Sequence, residues 1–399
     1  MWTTKKIAEA LEQSTNQDIS VSGFEFNSQD VQPSNCFLAL KGDQIDGNDF
    51  IEDARKKGAV CVIGQKNADF IVPNTYTALN QLALYARNHS PAKRIAITGS
   101  VGKTTTVSFL SQLLGQNHKI VSPKGTFNNH IGVPITMTKL DESTEFGIFE
   151  IGMNHIGETR PLAELVKPDI AIITKIGNAH IGYMGSQLAI AEEKAQILHA
   201  LTPDGIGIVP EDEFLEVYQK AGRELIVVPQ AVNTLESIPQ RLQNNFAMVL
   251  EVLSILGVKD YNREKLSIPA GRGNTVAKKI SGKNVTIIDD AYNAAFDAFL
   301  GALNDLAKLP GRKIIVVGDM GEVDGFEDEF HNKVAQLIRS LPNLGAVFAV
   351  SPMIAKALGV EMHRHDEVLR QLHQITQNND LLYFKGSKKS RVSAIVKGI

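Results

Sequence analysis

Residues 94–106 read Arg-Ile-Ala-Ile-Thr-Gly-Ser-Val-Gly-Lys-Thr-Thr-Thr, a β-prone run that turns through glycines into a helix predicted from Lys103 to about Gly115. No other segment constrains the fold as tightly. Glycines let successive backbone N–H groups converge on phosphate oxygens, and the helix N-terminus adds a partial positive charge. Such a loop opens from the carboxyl end of a buried strand, which demands a sheet with helices packed on it. The segment therefore predicts a phosphate cradle of Gly99, Ser100, Val101, Gly102 and Thr105. Lys103 would reach the β/γ-phosphates and the Thr104 hydroxyl would ligate Mg²⁺. The usual pattern keeps about four residues between its glycines; Gly99 and Gly102 enclose two.

The flanking sequence agrees with that demand. Apolar runs follow at 145–151, 169–174 and 205–209, with helical patterns between them. Near-continuous apolar strands alternating with helices signify a buried parallel sheet. Residues 1 to about 90 instead mix short apolar runs with turn signals such as Gln32-Pro33-Ser34-Asn35, and end in an amphipathic helix near 75–89 that Ser90-Pro91 breaks. Beyond Pro269-Ala270-Gly271-Arg272-Gly273 the alternation resumes at 285–288, 313–317, 346–350 and 381–384. The chain thus reads as three α/β domains in series, 1–90, 91–268 and 269–399. With 43% apolar and 21% charged residues it has material for these cores and is not a disordered chain. A net charge of −3 without a like-charge run speaks against nucleic acid as a partner. No apolar run approaches the roughly 18–20 residues of a membrane span, and the N-terminus lacks a signal-peptide core. A cytoplasmic protein without membrane insertion is expected. Cys36 and Cys61 lie in apolar strand-like runs and read as small buried thiols.

A phosphate loop normally draws a metal-side carboxylate from a neighbouring strand. Glu150 closes such a strand, and a carboxylate there needs a reason. His180, in Gly177-Asn178-Ala179-His180, follows the next strand at the same edge of the sheet, although a lone loop histidine is most often simply solvated. Lys194, on a helix within Glu192-Glu193-Lys194-Ala195, reads by default as a solvated charge.

Taken together, Thr98–Thr106, Asn128-Asn129-His130-Ile131-Gly132-Val133-Pro134, Glu150-Ile151-Gly152-Met153-Asn154 and Gly177–His180 resemble the Mur ligase family. Further motifs point within it to the branch that joins D-alanyl-D-alanine to a UDP-muramoyl tripeptide. They are Ile288-Asp289-Asp290-Ala291-Tyr292-Asn293-Ala294, Val317-Gly318-Asp319-Met320-Gly321-Glu322 with His331, and Lys385-Gly386-Ser387. Phe37-Leu38-Ala39-Leu40-Lys41-Gly42 and Asp46-Gly47 look like the family's UDP-sugar-binding domain. The resemblance implies a small N-terminal α/β UDP-binding domain, a central P-loop ATPase-like parallel-sheet domain and a C-terminal Rossmann-like domain. It also implies peptidoglycan-precursor chemistry, in which ATP phosphorylates the peptide carboxylate and an amine attacks the acyl phosphate. Carried over by motif, Lys103, His180 and Lys194 are catalytic, Lys194 as a CO₂-carbamylated lysine. Thr104, Glu150, His180 and Lys194 would hold Mg²⁺, and Asn129, Arg272 and Asp290 would contact ATP. Ser28, Lys41, Asp46, Tyr292, Asn293, Lys385 and Ser387 would bind the UDP-muramoyl peptide and D-Ala-D-Ala, with Lys385 and Ser387 on the incoming-amine side. A monomer is expected.

The chain departs from the family pattern in places. Asn27-Ser28-Gln29 replaces Asp-Ser-Arg, and Ala294-Ala295-Phe296 stands where Asn and Pro follow the alanine. Arg241-Leu242 occupies the place of a His-Asn pair on the adenine side, where only Asn245 matches. The stretch 210–240 reads as too short for the usual extra strands. Two other readings stay open at this point: a family paralogue joining another amine to another carboxylate, and a non-catalytic nucleotide- or UDP-sugar-binding protein.

Overall fold

The computed structural model describes residues 2–42, 44–230 and 234–399. Each of the three sequence blocks builds a sheet of its own. In the first, Gly23–Glu25, Asn35–Leu38, Cys61–Gly64 and Phe70–Ile71 lie side by side, all parallel. Cys36 and Cys61 are neighbours across two of these strands and both are buried, as small apolar side chains would be. The helix Thr75–Asn88 leaves this unit with Leu79, Leu82, Ala83 and Ala86 buried on one face.

The middle sheet has six parallel strands in the spatial order Glu224–Val228, Ile206–Pro210, Ile170–Ile173, Lys93–Thr98, Phe146–Glu150, Ile120–Val121. The strand that feeds the phosphate loop is therefore central. The chain next pairs on one side of it and later on the other, so the flanking loops diverge and leave a crevice at its carboxyl end. The stretch 210–240, read as too short for the usual extra strands, supplies one edge strand, Glu224–Val228, which needs pairing on one side only.

The third sheet runs Asn274–Ile280, Lys283–Asp289, Leu381–Lys385, Lys313–Val317, Leu344–Ala349. Its first strand is antiparallel and was not foreseen. The reason is plain in its burial: residues 275–279 are all exposed, so the strand carries no apolar alternation to read. It returns through Ser281-Gly282, both at positive φ, the left-handed geometry that suits a two-residue hairpin. The remaining strands are parallel, and their carboxyl ends face the crevice of the middle sheet. Among the described residues no helix is long and apolar enough to cross a membrane.

Candidate active site

The loop after Thr98 is fixed from three directions. The Thr98 hydroxyl donates to Ile151 O at 2.9 Å, the Thr174 hydroxyl donates to Val101 O at 2.6 Å, and Ser100 N–H donates to Lys175 O at 2.7 Å. Gly99 and Gly102 have φ of +144° and +97°. A Cβ on Gly99 would collide with the Thr174 hydroxyl, and one on Gly102 with the Asn245 amide. Only glycine fits either place. Lys103 begins the helix Lys103–Leu114, and its ammonium folds back to donate to Gly99 O at 2.5 Å and Ser100 O at 3.5 Å. Burial lowers its proton affinity, Glu150 opposes that, and Arg272 adds to it.

Glu150 sits beside the loop because its strand pairs with Lys93–Thr98 so that Glu150 lies next to Ile97. It is 1% exposed. One carboxylate oxygen accepts from Asn128 Nδ2 at 2.8 Å, while Oε2 is buried with no hydrogen-bond partner among the described residues. His180 ends the loop after Ile170–Ile173 in the left-handed region, φ +67°. Its Nδ1 lies 2.9 Å from Glu322 Oε2, close enough for an ion pair but without the alignment of a hydrogen bond. The histidine is the main reason the Glu322 carboxyl is held below its ordinary range.

Lys194 overturns the default reading of a solvated helix charge. It is fully buried, and its Nζ has no hydrogen-bond partner among the described residues. The helix Gln187–His199 packs against Thr159–Val166, so a side chain facing inward has no route to water. Its neighbour Glu193 also points inward and accepts from Thr159 N at 2.8 Å and Gly157 N at 2.9 Å, capping the facing helix. Burial first, and then the Lys103 charge, push the Lys194 ammonium well below the usual lysine range, with Glu193 and Glu150 opposing. A charged amine cannot be held cheaply in such a place.

The third unit closes the site. Arg272 Nη2 donates to the Thr104 hydroxyl at 3.1 Å, and the guanidinium lies 4.1 Å from the centre of the Tyr292 ring. The Tyr292 hydroxyl meets the Thr126 hydroxyl of the middle unit at 2.7 Å. Asp297 accepts from Asn178 N at 2.5 Å. Asn293 is exposed and Ser387 buried, and both line the cavity. Lys385, expected on the incoming-amine side, is 1% exposed, and its ammonium is engaged by protein groups. It donates to Asp290 Oδ2 at 2.9 Å and Asn293 O at 3.1 Å. Asp290 Oδ2 also accepts from the Tyr383 hydroxyl at 3.1 Å. Lys385 thus ties its strand to the 290–293 loop at the cavity wall, because a buried ammonium with a carboxylate partner stays where that partner is.

One cavity of about 1530 Å³ brings together Ser100–Thr105, Asn129, Glu150, His180, Arg272, Asp290, Tyr292, Asn293, Lys385 and Ser387. Ser28, Lys41 and Asp46 lie outside its wall. Ser28 and Lys41 follow the paired parallel strands Gly23–Glu25 and Asn35–Leu38, so they share one edge of the first sheet. Asp46 caps the turn Gly47–Phe50, accepting from Asn48 N at 2.9 Å. Asn129, likewise, accepts from Gly132 N at 2.9 Å while remaining exposed to the cavity. Asp297 carried no signal in the sequence: it reaches Asn178 only because the distant segments 178 and 297 meet in the fold. Among the described residues no group of three His, Cys, Asp or Glu side chains could hold a metal ion alone.

Comparison with known proteins covers most of the chain. The family description "Mur ligase family, catalytic domain" matches residues 20–90, "Mur ligase middle domain" 97–243 and "Mur ligase, glutamate ligase domain" 271–388. A UDP-N-acetylmuramoyl-tripeptide–D-alanyl-D-alanine ligase of Rickettsia prowazekii is 30% identical over 450 aligned positions, covering 99% of each chain. One from Treponema pallidum is 31% identical over 382 positions, 84% of this chain and 82% of the relative. Among solved structures, MurF from Acinetobacter baumannii superposes with a TM-score of 0.85 at 24% identity, covering 100% of this chain and 98% of that one. MurF from Thermotoga maritima in complex with ADP gives 0.81 at 24% identity, covering 94% and 96%. At that identity the structural likeness speaks for the fold.

Proposed function

The chain belongs to the Mur ligase family, and from that premise we propose that it is an ATP-dependent ligase joining D-alanyl-D-alanine to a UDP-muramoyl tripeptide. We divide it into a UDP-sugar-binding unit at 1–90, an ATP-binding unit at 91–268 and an amine-binding unit at 269–399, acting as a monomer in the cytoplasm. The observation that supports the reading is two buried polar atoms without a hydrogen-bond partner among the described residues, Glu150 Oε2 and Lys194 Nζ, in a fold whose phosphate loop holds the Lys103 ammonium on its own carbonyls. Neither atom has a structural use as it stands.

That pair also tests the fit of Mg²⁺ and a carbamylated lysine, and the residues fit. A neutral buried amine is the form that adds CO₂, giving an N-carboxylate and releasing a proton. The carbamate oxygens of Lys194, with Glu150, His180 and the Thr104 hydroxyl, would hold the ion through the hard donors Mg²⁺ prefers. Bound there, the ion would supply positive charge to the phosphoryl oxygens. The chain's own groups do the rest. Lys103 exchanges its carbonyl partners for the β/γ-phosphates, and Arg272 brings a second cation from the third unit. Asn129 and Asp290 orient the nucleotide. The terminal peptide carboxylate takes the γ-phosphoryl group; the dipeptide amine then attacks the acyl phosphate, forming the amide and releasing phosphate. Tyr292, Asn293 and Ser387 line the amine side, while Ser28, Lys41 and Asp46 serve the UDP end. Orientation in a closed, water-poor site supplies much of the acceleration.

Phosphate release measured with ATP, UDP-muramoyl-tripeptide and D-Ala-D-Ala is the test. Turnover should require all three. Equal or better turnover with a single amino acid in place of the dipeptide would reassign the amine.

A further inference from the structure

Arg241 is one of the positions at which this chain departs from the pattern of the resemblance, and the structure shows what surrounds it. The residue lies in the turn Gln240–Leu242, which leads into the helix Gln243–Ile255 of the middle unit. Its guanidinium reaches across to the third unit. Nη1 donates to Asp305 Oδ2 at 3.0 Å, and the Arg241 backbone N–H donates to the same oxygen at 3.3 Å. Nη2 donates to Arg272 O at 3.4 Å and lies 3.9 Å from Asp290 Oδ2. The side chains of Arg241, Asp305 and Asp290 are only 15%, 14% and 8% exposed. Gly273, with φ of +95°, lets the guanidinium pass, since a Cβ there would collide with Nη2.

The same short segment touches the phosphate loop. Four residues on, the Asn245 amide donates to the Thr106 hydroxyl at 3.1 Å and occupies the space that a side chain on Gly102 would need. Segment 241–245 therefore grips the third unit at one end and the nucleotide loop at the other. Resting on the reading of this protein as a ligase, we infer that Arg241 is a positioning residue that holds the third unit over the nucleotide loop through Asp305 and Asp290. Arg241 touches no reacting atom in this role. Its planar fork serves Asp305 and the Arg272 carbonyl from different nitrogens, which a lysine cannot reproduce. Separation of the two units would leave the Asp305 carboxylate without its cation, so docking and pairing are one event. Linkage then requires that nucleotide affinity and docking of the third unit favour each other.

The test uses the full chain and variants Arg241→Ala, Arg241→Lys and Asp305→Asn. Small-angle scattering with and without a non-hydrolysable ATP analogue reads docking independently of turnover. Steady-state kinetics then separate the dipeptide KM from kcat and from the ATP KM. We expect Arg241→Ala to expand the nucleotide-bound particle and to raise the dipeptide KM by about tenfold, with an unchanged melting temperature. Arg241→Lys should recover only part of the loss, and Asp305→Asn should add nothing to Arg241→Ala in the double variant. A nucleotide-bound Arg241→Ala particle as compact as the wild type would overturn the inference. So would a uniform loss of all kinetic parameters with a lowered melting temperature, which marks a plain structural role. If wild-type protein shows no dipeptide ligation, the ligase reading fails by itself, while the scattering comparison still decides the role of Arg241.

Discussion

The first unit joins the middle one in a different way from the third. At the first junction the apolar face of Thr75–Asn88 packs on Gly132–Met137, a helix whose residues are all buried. The Trp2 indole, 9% exposed, donates to Thr138 O at 2.7 Å beneath them. The second junction is mixed: polar pairs cross it, Arg241 with Asp305, Asn178 with Asp297, His180 with Glu322, Arg272 with Thr104 and Tyr292 with Thr126, beside buried apolar residues of both units such as Ile181, Met184, Phe296 and Val323 that share one cluster. Apolar area removed from water is lost outright when a junction opens, at about 25 cal/mol per Å². Polar pairs trade their partners for water at a small net cost, about 1 kcal/mol each. We therefore expect the first junction to act as the fixed joint and the second, where polar pairs cross, as the working one; the cavity with its phosphate loop lies at the second.

The sharpest way to break that comparison is to show that chemistry and stability share residues. Lys103→Ala should lower phosphate release at least about 1000-fold, because it removes the cation of the loop, while the melting curve stays put. Normal turnover by a folded Lys103→Ala protein would remove the phosphate-loop assignment. Lys194→Ala should lose most activity, and acetate at high concentration should restore part of it by filling a carbamate-shaped hole. No such rescue is expected for Lys103→Ala. Full activity in Lys194→Ala ends the carbamate proposal.

The fixed joint makes the opposite prediction. Trp2→Ala should cost about 3 kcal/mol of stability, the usual penalty for a large core side chain, with unchanged turnover per folded molecule. Denaturant unfolding combined with active-site titration checks this, and a Trp2→Ala protein of wild-type stability would show the first junction to be loose. A smaller effect comes from Lys194→Met, which replaces an unpartnered buried amine by an apolar side chain of similar length. In CO₂-depleted buffer it should raise stability by about 1–2 kcal/mol while removing activity. A lowered melting temperature would mean that the amine has a structural partner. Smallest of all, Asp297→Asn should loosen the working joint by about 1 kcal/mol, seen as a modest rise in the dipeptide KM. Equal rises for dipeptide and ATP would assign Asp297 to something other than docking.

Much of the framework was legible along the chain. The predicted runs at 94–98, 145–151, 169–174 and 313–317 are all strands, because parallel strands buried on both faces must be apolar throughout. The glycines of the phosphate loop announce their own geometry, since positive φ excludes other residues. Resemblance to a family added Lys194 and Asp290, whose neighbours in sequence reveal nothing. What pattern could not show was any property that depends on which distant segment lies opposite. The exposed strand Asn274–Ile280 has no apolar face, so its pairing is set by the hairpin and by Lys283–Asp289 beside it. Lys194 and Lys385 carry the same charge in sequence. The first is buried without a partner among the described residues and the second beside Asp290.

By itself, then, the sequence determined the strand–loop–helix with its two positive-φ glycines and the alternation that makes three α/β units, because both are written in local backbone freedom and in the period of apolar residues. The tertiary structure alone decided which charges are paired and which residues meet at each junction. Burial and electrostatic partnership are properties of surfaces brought together, and Arg241 meets Asp305, 64 positions further along the chain, only in the folded molecule.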